Sequence, residues 1–283
     1  MVKRQTNKEL KETLKNEKAK KKNDFSIYAV KKKTDFLKIN KELPRPLQTM
    51  AERGGGCLQI YSPPGSGKSN FLVNLFLRES LFKDVFEGGV YLISPTAESD
   101  LTSEALRDYA DFVETECTEE LLEGIYRNIM SVPKEDRLLT AIILDDCMGS
   151  SVGKQHSILQ KMISANRHMK TLFVLSTQSV KSINPNIRSC CSHSLIFYQP
   201  SQKQMADLTE LHSFFGGEAE FQKNYETATT PKYGFMLNDW RDLKSYAWGS
   251  TLTEPQLLWS RYDEEGKVME SDEPNKGMIK SKD

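Results

Sequence analysis

Short apolar runs alternate with amphipathic segments along most of the chain after residue 56. The apolar runs are CLQIYS (57–62), GGVYLISP (88–95), LLTAIILDDC (138–147), TLFVLSTQS (171–179) and SHSLIFYQP (192–200). They are apolar almost throughout, as expected for parallel strands that are buried on both faces. Intervening segments such as TEELLEGIYRNIMSV (118–132) and SQKQMADLTELHSFF (201–215) have helical spacing. This alternation predicts an α/β fold with a mostly parallel central sheet flanked by helices.

Weaker patterns fill the remainder of the predicted domain. DFVETEC (111–117) is a weak strand candidate, and GKQHSILQKMISANRH (153–168) resembles a helix. KYGFMLNDW (232–240) and KSYAWGS (244–250) together predict a late β-hairpin. PRPLQTMAERGGG (44–56) leads into the first strand and has no assigned element.

Composition divides the chain into three parts. Residues 1–33 are rich in lysine and have too few apolar positions for a packed face, which predicts a basic, flexible N-terminal arm. Residues 34–262 carry the alternating pattern and form the predicted globular domain. Residues 263–283 are polar and are predicted to be a second flexible terminus.

The overall composition excludes several classes of protein. A hydrophobic fraction of 38% in 283 residues allows a substantial core, and a mean hydropathy of -0.55 indicates much polar surface. The formal net charge of +0 carries no general signal for nucleic-acid binding. No apolar run approaches the ~20 residues of a membrane span, and the N-terminus lacks the apolar stretch of a secretory signal. Because the 5 cysteines are odd in number, we expect a reduced, intracellular chain without a disulfide framework.

A glycine-rich loop, SPPGSGKS (62–69), lies between a predicted strand and the helical pattern of NFLVNLFLRESLF (70–82). Strand, loop and helix is the context in which the G-x-x-x-x-G-K-[S/T] pattern binds phosphate. Ser62 replaces the first glycine, and Pro63 and Pro64 have no N–H to donate. Lys68 is predicted to reach the β- and γ-phosphates of a nucleotide, and the Ser69 hydroxyl to hold Mg²⁺. The predicted nucleotide-binding residues are Gly65, Ser66, Gly67, Lys68, Ser69 and Asn70.

Polar residues at two further strand ends suit nucleotide hydrolysis. Asp145 and Asp146 follow an apolar strand, so they are expected at the carboxyl edge of the sheet, where α/β sites lie. Asp145 is predicted to hold Mg²⁺ and Asp146 to activate the attacking water. Gln178, at the end of TLFVLSTQS, is predicted to contact the water and the γ-phosphate. Arg188 in INPNIRS (183–189) is the first candidate for an arginine that acts on a neighbouring subunit's nucleotide, with Arg167 as the alternative.

These motifs together resemble those of a known family. SPPGSGKS, IILDD, ANRHMKTLFVLSTQS and NPNIRS, in this order and spacing, resemble the genome-packaging ATPases of poxvirus-type large DNA viruses, virophages and related self-synthesising transposons. Those proteins belong to the FtsK/HerA class of P-loop motors. The resemblance covers residues 58–200, about half of the chain. It implies a RecA/FtsK-like P-loop NTPase fold, with residues 34–262 as the ATPase motor domain.

Carried over by position, the resemblance assigns roles to five residues. Lys68 and Ser69 would be the phosphate-loop lysine and the metal-binding hydroxyl, Asp145 and Asp146 the metal-binding and catalytic acids, and Gln178 the sensor. The chain departs from the family pattern at Ser62 and at Asp146, where many relatives of the wider class carry glutamate. Because aspartate is one methylene shorter, the attacking water must lie closer or be reached through a second water.

The resemblance implies an ATP-hydrolysing double-stranded DNA translocase that packages a viral genome into a preformed capsid. ATP and Mg²⁺ are the implied cofactors. The implied partners are double-stranded DNA, further copies of the chain in a hexameric or pentameric ring, and a capsid protein, with no membrane. The implied location is intracellular, in the host cytoplasm or a viral factory, or in association with the virion.

Two alternatives stay open from the residues alone. One is a P-loop kinase that phosphorylates a small molecule, and the other is a nucleotide-binding capsid-assembly protein without motor activity. The chain has no compact arginine-rich lid segment of the kind a kinase closes over its substrate. The paired acids and the sensor glutamine also favour water as the phosphate acceptor.

Overall fold

The computed structural model of the chain describes residues 42–148, 157–263 and 265–269. The predicted N-terminal arm lies outside these residues, as do the first residues of the predicted motor domain and most of the C-terminal tail. The predicted boundaries at residues 33 and 262 therefore stay predictions.

A single nine-stranded sheet runs through the described part of the chain, in the order β3-β2-β4-β5-β1-β6-β7-β8-β9. Every pairing from β3 to β6 is parallel, and every pairing from β6 to β9 is antiparallel. The strands are β1 Gly56–Tyr61, β2 Val90–Ile93, β3 Phe112–Glu114, β4 Thr140–Asp145, β5 Thr171–Thr177, β6 His193–Phe197, β7 Phe235–Asp239, β8 Lys244–Trp248 and β9 Gln256–Ser260. The mostly parallel sheet and the late β-hairpin predicted from the sequence are confirmed, and β9 adds a strand that the pattern did not indicate.

Helices precede β1, connect the parallel strands and follow the last of them. They are α1 Arg45–Ala51, α2 Lys68–Leu77, α3 Glu104–Tyr109, α4 Glu119–Ser131, α5 Ile158–Ser164, α6 Asn166–Met169, α7 Pro185–Cys190, α8 Gln202–His212 and α9 Glu218–Thr229. Short 3₁₀ turns occupy Leu101–Ser103 and Val180–Ser182. Within the described ranges, no helix is both long enough and apolar enough to cross a membrane.

The two faces of the sheet bury separate hydrophobic clusters. Alternate residues of a strand point to opposite faces, so Ile142 and Leu144 of β4 join one cluster while Ala141 and Ile143 join the other. Apolar residues of α4, α5, α7, α8 and α9 cover the first face, and those of α1, α2 and α3 cover the second. Burial on both faces explains why the central parallel strands are mostly apolar, whereas the edge strand β3 is only partly buried.

Four helices, α1, α3, α7 and α9, were not predicted from the hydrophobic pattern. In α1, proline occupies the first turn, where no intrahelical N–H is needed, and the helix buries Leu47 and Met50. In α9, polar residues such as Asn224 and Thr229 are buried beside Phe221, so the apolar stripe is too narrow to predict the helix. The short helix α3 follows a 3₁₀ turn and has only one fully buried apolar residue.

His212, near the end of α8, is a buried polar residue whose protonation is coupled to folding. Its Nδ1 lies 3.0 Å from the carbonyl oxygen of Leu208 and its Nε2 lies 3.0 Å from the Ser194 hydroxyl. The rings of Tyr61 and Phe221 pack around it. Burial lowers the pKa of His212 to about 4; the hydrogen bond with the Leu208 carbonyl acts in the opposite direction, and the charge of Arg188 lowers the pKa further.

We expect His212 to make the protein less stable in mild acid. The unfolded chain binds a proton at this residue below about pH 6.5, while the folded chain keeps it neutral down to about pH 4. The free energy of unfolding should therefore fall as the pH is lowered between these values, by about 3 kcal/mol from this residue. Urea unfolding at a series of pH values measures the fall.

The His212→Gln variant should show a shallower fall over the same pH range. His168 is exposed, so His168→Gln should retain the pH dependence of the natural chain and serves as the control. Parallel curves for the natural chain and His212→Gln would contradict the role of His212.

Candidate nucleotide-binding site

The glycine-rich loop connects β1 to α2 at the carboxyl edge of the parallel strands. Gly65 and Gly67 have φ values of +75° and +103°, in the left-handed region that side chains disfavour. The Ser62 hydroxyl lies 2.5 Å from the Ser66 hydroxyl, so the residue that replaces the first glycine closes the loop. Lys68 begins α2, and the first N–H groups of a helix have no acceptor within the helix. The predicted strand, loop and helix are therefore present, with free donors at the helix start.

The strand order brings the other predicted site residues to this loop. β5 lies between β4 and β1, and Asp145 of β4 is in register with Ser176 of β5. Because the three strands are parallel, their carboxyl ends meet at the same edge of the sheet. Asp145, Asp146 and Gln178 lie at that edge beside Lys68.

Lys68 forms ion pairs with both strand-end acids. Its Nζ lies 2.7 Å from Oδ1 of Asp145 and 2.9 Å from Oδ2 of Asp146. Burial by itself would lower the pKa of Lys68, but the charges and hydrogen bonds of the two carboxylates raise it above its ordinary value. The lysine is therefore charged and offsets two negative charges at the edge where phosphates would bind.

The two acids differ in their surroundings. Asp145 is buried and accepts a 2.6 Å hydrogen bond from the Ser176 hydroxyl. Asp146 is more exposed and accepts a 3.2 Å hydrogen bond from Nε2 of Gln178. Its φ of +54° lies in the left-handed region, which aspartate tolerates better than most residues. Asp145 is thus held in a buried position at the end of β4, whereas Asp146 and Gln178 line the cleft.

A third carboxylate, Asp100, was not predicted as a site residue. Its Oδ2 accepts hydrogen bonds from the Ser69 hydroxyl at 2.9 Å and from the Ser103 hydroxyl at 2.7 Å, and its Oδ1 accepts one from the Thr102 N–H. Although partial burial acts in the opposite direction, these hydrogen bonds lower the pKa of Asp100. The local pattern Asp-x-Thr-Ser indicates a helix cap, but nothing in it indicates contact with the loop.

The loop and the strand ends line a cleft of ≈ 300 Å³. Its lining residues are Ser62, Pro63, Pro64, Gly65, Gly67, Lys68, Ser69, Asn70, Thr102, Asp146, Gln178 and Tyr233. Tyr233, which precedes β7, was also not predicted. A Cβ added to Gly67 would lie 3.0 Å from Cδ1 of the Tyr233 ring. The ring therefore lies directly against the loop, and a side chain at position 67 would have to displace it.

The two arginines occupy different places. Arg188 lies on α7, and its Nη1 donates a 3.1 Å hydrogen bond to the carbonyl oxygen of Val180, two residues after Gln178. It does not line the cleft of its own chain. Arg167 lies on α6, just before β5 begins, and so at the amino edge of the sheet, away from the loop. The structure thus brings together the loop, both acids and Gln178, but neither arginine.

Comparisons with known proteins bear on the family and the fold of the chain. A family model described as "Poxvirus A32 protein" matches residues 57–224, which is more than half of the chain. No curated protein matches the sequence. The structure is similar to the genome packaging NTPase B204 from Sulfolobus turreted icosahedral virus 2 in complex with ATP-gammaS, at 16% identity and a TM-score of 0.53, over 70% of this chain and 99% of that chain. It is also similar to B204, the DNA-packaging ATPase from Sulfolobus Turreted Icosahedral Virus, at 14% identity and a TM-score of 0.50, over 68% and 96% of the two chains.

At these identities the structural likeness concerns the fold, and it confirms the predicted P-loop NTPase architecture. The family match begins in β1 and ends in α9, so it includes the loop, the acids at the end of β4 and Gln178. It confirms the resemblance to poxvirus-type packaging ATPases that the motifs indicated. The chain belongs to the poxvirus A32 protein family.

Proposed function

We propose that this protein is an ATPase that drives double-stranded viral DNA into a preformed capsid, acting as a ring of identical subunits. The observation that carries the proposal is the contact of Lys68 with both strand-end acids beside a glycine-rich loop and Gln178. The family match supports the packaging role. B204, which shares the fold, is a DNA-packaging ATPase and has been observed with ATP-gammaS and with AMP.

In this proposal the loop binds the phosphates of ATP. The N–H groups of Gly65 and of residues 67–70 would donate to phosphate oxygens, whereas the Ser66 N–H donates to the Pro63 carbonyl oxygen in this structure. The helix that follows favours negative charge at its start. Lys68 exchanges its two carboxylate partners for the β- and γ-phosphates. The N–H groups and Lys68 thus hold the phosphate chain with its γ end next to Asp146.

The oxygen donors around Ser69 fit Mg²⁺, which prefers hydroxyl, carboxylate and phosphate oxygens. The Ser69 hydroxyl and the Asp145 carboxylate would hold the ion, as predicted from the sequence. Asp100, already hydrogen-bonded to Ser69, adds a second carboxylate near that hydroxyl. When bound, the ion neutralises charge on the phosphate oxygens. It would also keep the phosphates from being repelled by the three acids.

Asp146 and Gln178 are positioned to act on the attacking water. The Asp146 carboxylate accepts a proton from the water whose oxygen attacks the γ-phosphorus, while the bond from the γ-phosphorus to the β–γ bridging oxygen breaks and ADP leaves. The Gln178 amide orients the water. The existing hydrogen bond between the two side chains keeps both at the γ-phosphate side of the cleft. The Asp145 carboxylate, held by Ser176, is buried and is better placed for the ion than for the water.

Arg188 is proposed to complete the site of a neighbouring subunit. It lies outside the cleft of its own chain, close to the strand end that carries Gln178. An arginine from a neighbour would stabilise charge in the transition state and would couple hydrolysis to movement between subunits. DNA would pass through the ring and contact it mainly through backbone phosphates, which suits pumping that does not depend on sequence. The protein would act in the infected cell, where genomes are packaged.

Lys68→Ala tests the site and the function together. The natural protein should hydrolyse ATP faster when double-stranded DNA is added. Lys68→Ala should reduce turnover at least ~10²-fold because charge stabilisation at the phosphates is lost.

Lys203→Ala removes an exposed lysine and serves as the control. Steady-state ATPase rates with and without DNA measure the effect. Normal turnover by a folded Lys68→Ala protein would exclude this loop as the active site.

Asp146→Asn separates binding from hydrolysis. Asparagine accepts the left-handed backbone at this position and keeps the size of the side chain, but it cannot take up the water's proton. We expect nucleotide affinity in the presence of Mg²⁺ to be retained and single-turnover hydrolysis to fall at least ~10²-fold. Asp145→Asn should instead weaken Mg²⁺ binding, so that a higher Mg²⁺ concentration is needed for half-maximal hydrolysis. Rapid hydrolysis by both variants would show that the acids are wrongly assigned.

Arg188→Ala tests the role between subunits. The variant should bind ATP normally and lose DNA-stimulated turnover. Mixing it with Lys68→Ala should restore part of the activity, because some interfaces then combine an intact loop with an intact Arg188. The composition of the mixed rings is verified by native mass measurement. Lack of rescue in verified mixed rings would contradict the role in trans. Rescue in mixtures with Arg167→Ala, and not with Arg188→Ala, would move the role in trans to Arg167.

A further inference from the structure

Two clefts open on either side of Tyr233, next to the phosphate-binding cleft. One, here called the aromatic cleft, shares Gly67, Asn70 and Tyr233 with the phosphate cleft. The other, here called the proline cleft, shares Pro63, Pro64, Gly65 and Tyr233 with it. The Tyr233 side chain is 44% exposed. The ring therefore stands between two spaces that could each receive the rest of a nucleotide.

The direction of the phosphate chain selects one of these clefts. Lys68 and Asp146 mark the γ-phosphate end of the proposed site. The N–H donors continue along the loop and the start of α2 to Asn70, which therefore lies at the α-phosphate end. Pro63 and Pro64, which line the proline cleft, have no N–H to offer a phosphate. The atoms beyond the α-phosphate would therefore emerge at Asn70, where the aromatic cleft begins.

The aromatic cleft has the size and lining of a base-binding site. Its volume is ≈ 580 Å³, within the range of small-molecule pockets. Phe71, Phe197, Phe235 and Trp248 line it and contact one another, with ring centroids of Phe71 and Phe235 5.1 Å apart. Polar residues of α2 and of the segment after β8 form its remaining wall. An apolar surface with polar groups at one side is typical of sites that hold a planar aromatic ligand.

The Tyr233 ring has one face available to such a ligand. The Lys232 ammonium lies 5.0 Å from the ring centroid, and Lys232 lines the proline cleft. The face on that side therefore already has a cation as its partner. One edge of the ring lies against Gly67, which fixes the ring beside the loop.

We infer that the purine base of the bound nucleotide lies in the aromatic cleft, against the ring of Tyr233. The inference rests on the proposed function, because it assumes that the loop binds a nucleotide's phosphates. Tyr233 is then the residue that makes the site select a nucleotide over a bare phosphate chain. A base can stack on an aromatic side chain whatever its type, and this stacking is strong enough to account for tighter binding of a nucleotide than of a bare phosphate chain.

The test compares two ligands that share the phosphate chain. ATP-gammaS carries the base and tripolyphosphate does not. Both are titrated, with Mg²⁺, into the full-length natural chain and its variants by calorimetry. Tyr233→Asn removes the ring, and asparagine accepts the left-handed backbone at this position, where φ is +62°. Tyr233→Phe keeps the ring. Tyr198→Ala is the matched control, since Tyr198 is also exposed, at 58%, and lines only the proline cleft.

We expect Tyr233→Asn to weaken ATP-gammaS binding by about tenfold and to leave tripolyphosphate binding within about twofold. Tyr233→Phe and Tyr198→Ala should bind both ligands as the natural chain does. Equal weakening of both ligands by Tyr233→Asn would mean that the ring only supports the loop. Selective loss of ATP-gammaS binding in Tyr198→Ala would place the base in the proline cleft. Either result overturns the inference and leaves the phosphate site intact. Failure of the natural chain to bind either ligand would instead overturn the proposed function.

Discussion

The ion pairs of Lys68 with Asp145 and Asp146 are the interaction on which the rest of the site depends. Three carboxylates, those of Asp100, Asp145 and Asp146, lie around a loop that must accept a negatively charged phosphate chain. Such an arrangement repels phosphate unless cations are placed among the acids. Lys68 supplies one, and the oxygen donors around Ser69 suit a divalent ion as the second.

The strand order gives the site a direction. With β5 and β4 on one side of β1 and β6, β7 and β8 on the other, the acids and the glutamine lie to one side of the loop and the aromatic residues to the other. In the proposed binding mode, the reacting end of the nucleotide would lie on the parallel half of the sheet. Its base would lie towards the antiparallel half. The late hairpin would then contribute to nucleotide binding.

A residue with a left-handed backbone lies at each end of this arrangement. Of the five non-glycine residues with left-handed φ in the described ranges, two line the phosphate cleft, Asp146 and Tyr233. Such a conformation costs on the order of 1 kcal/mol or more for a residue with a side chain. The cost is tolerated because the surrounding contacts hold each side chain where the site uses it. Asp146 contacts Lys68 and Gln178, and Tyr233 contacts Gly67.

The sequence by itself determined the parallel strands, the phosphate loop and the residues at the ends of β4 and β5. These features depend on local patterns, since a strand buried on both faces must be apolar and a phosphate loop needs glycine and lysine at fixed spacing. Only the tertiary structure decided the contact of Asp100 with Ser69, the position of Tyr233 against Gly67 and the burial of α9. Each brings together side chains that are distant in sequence or buries polar residues. Such contacts cannot be predicted from the local spacing of hydrophobic residues, because they form only when the folded sheet brings its strand ends together.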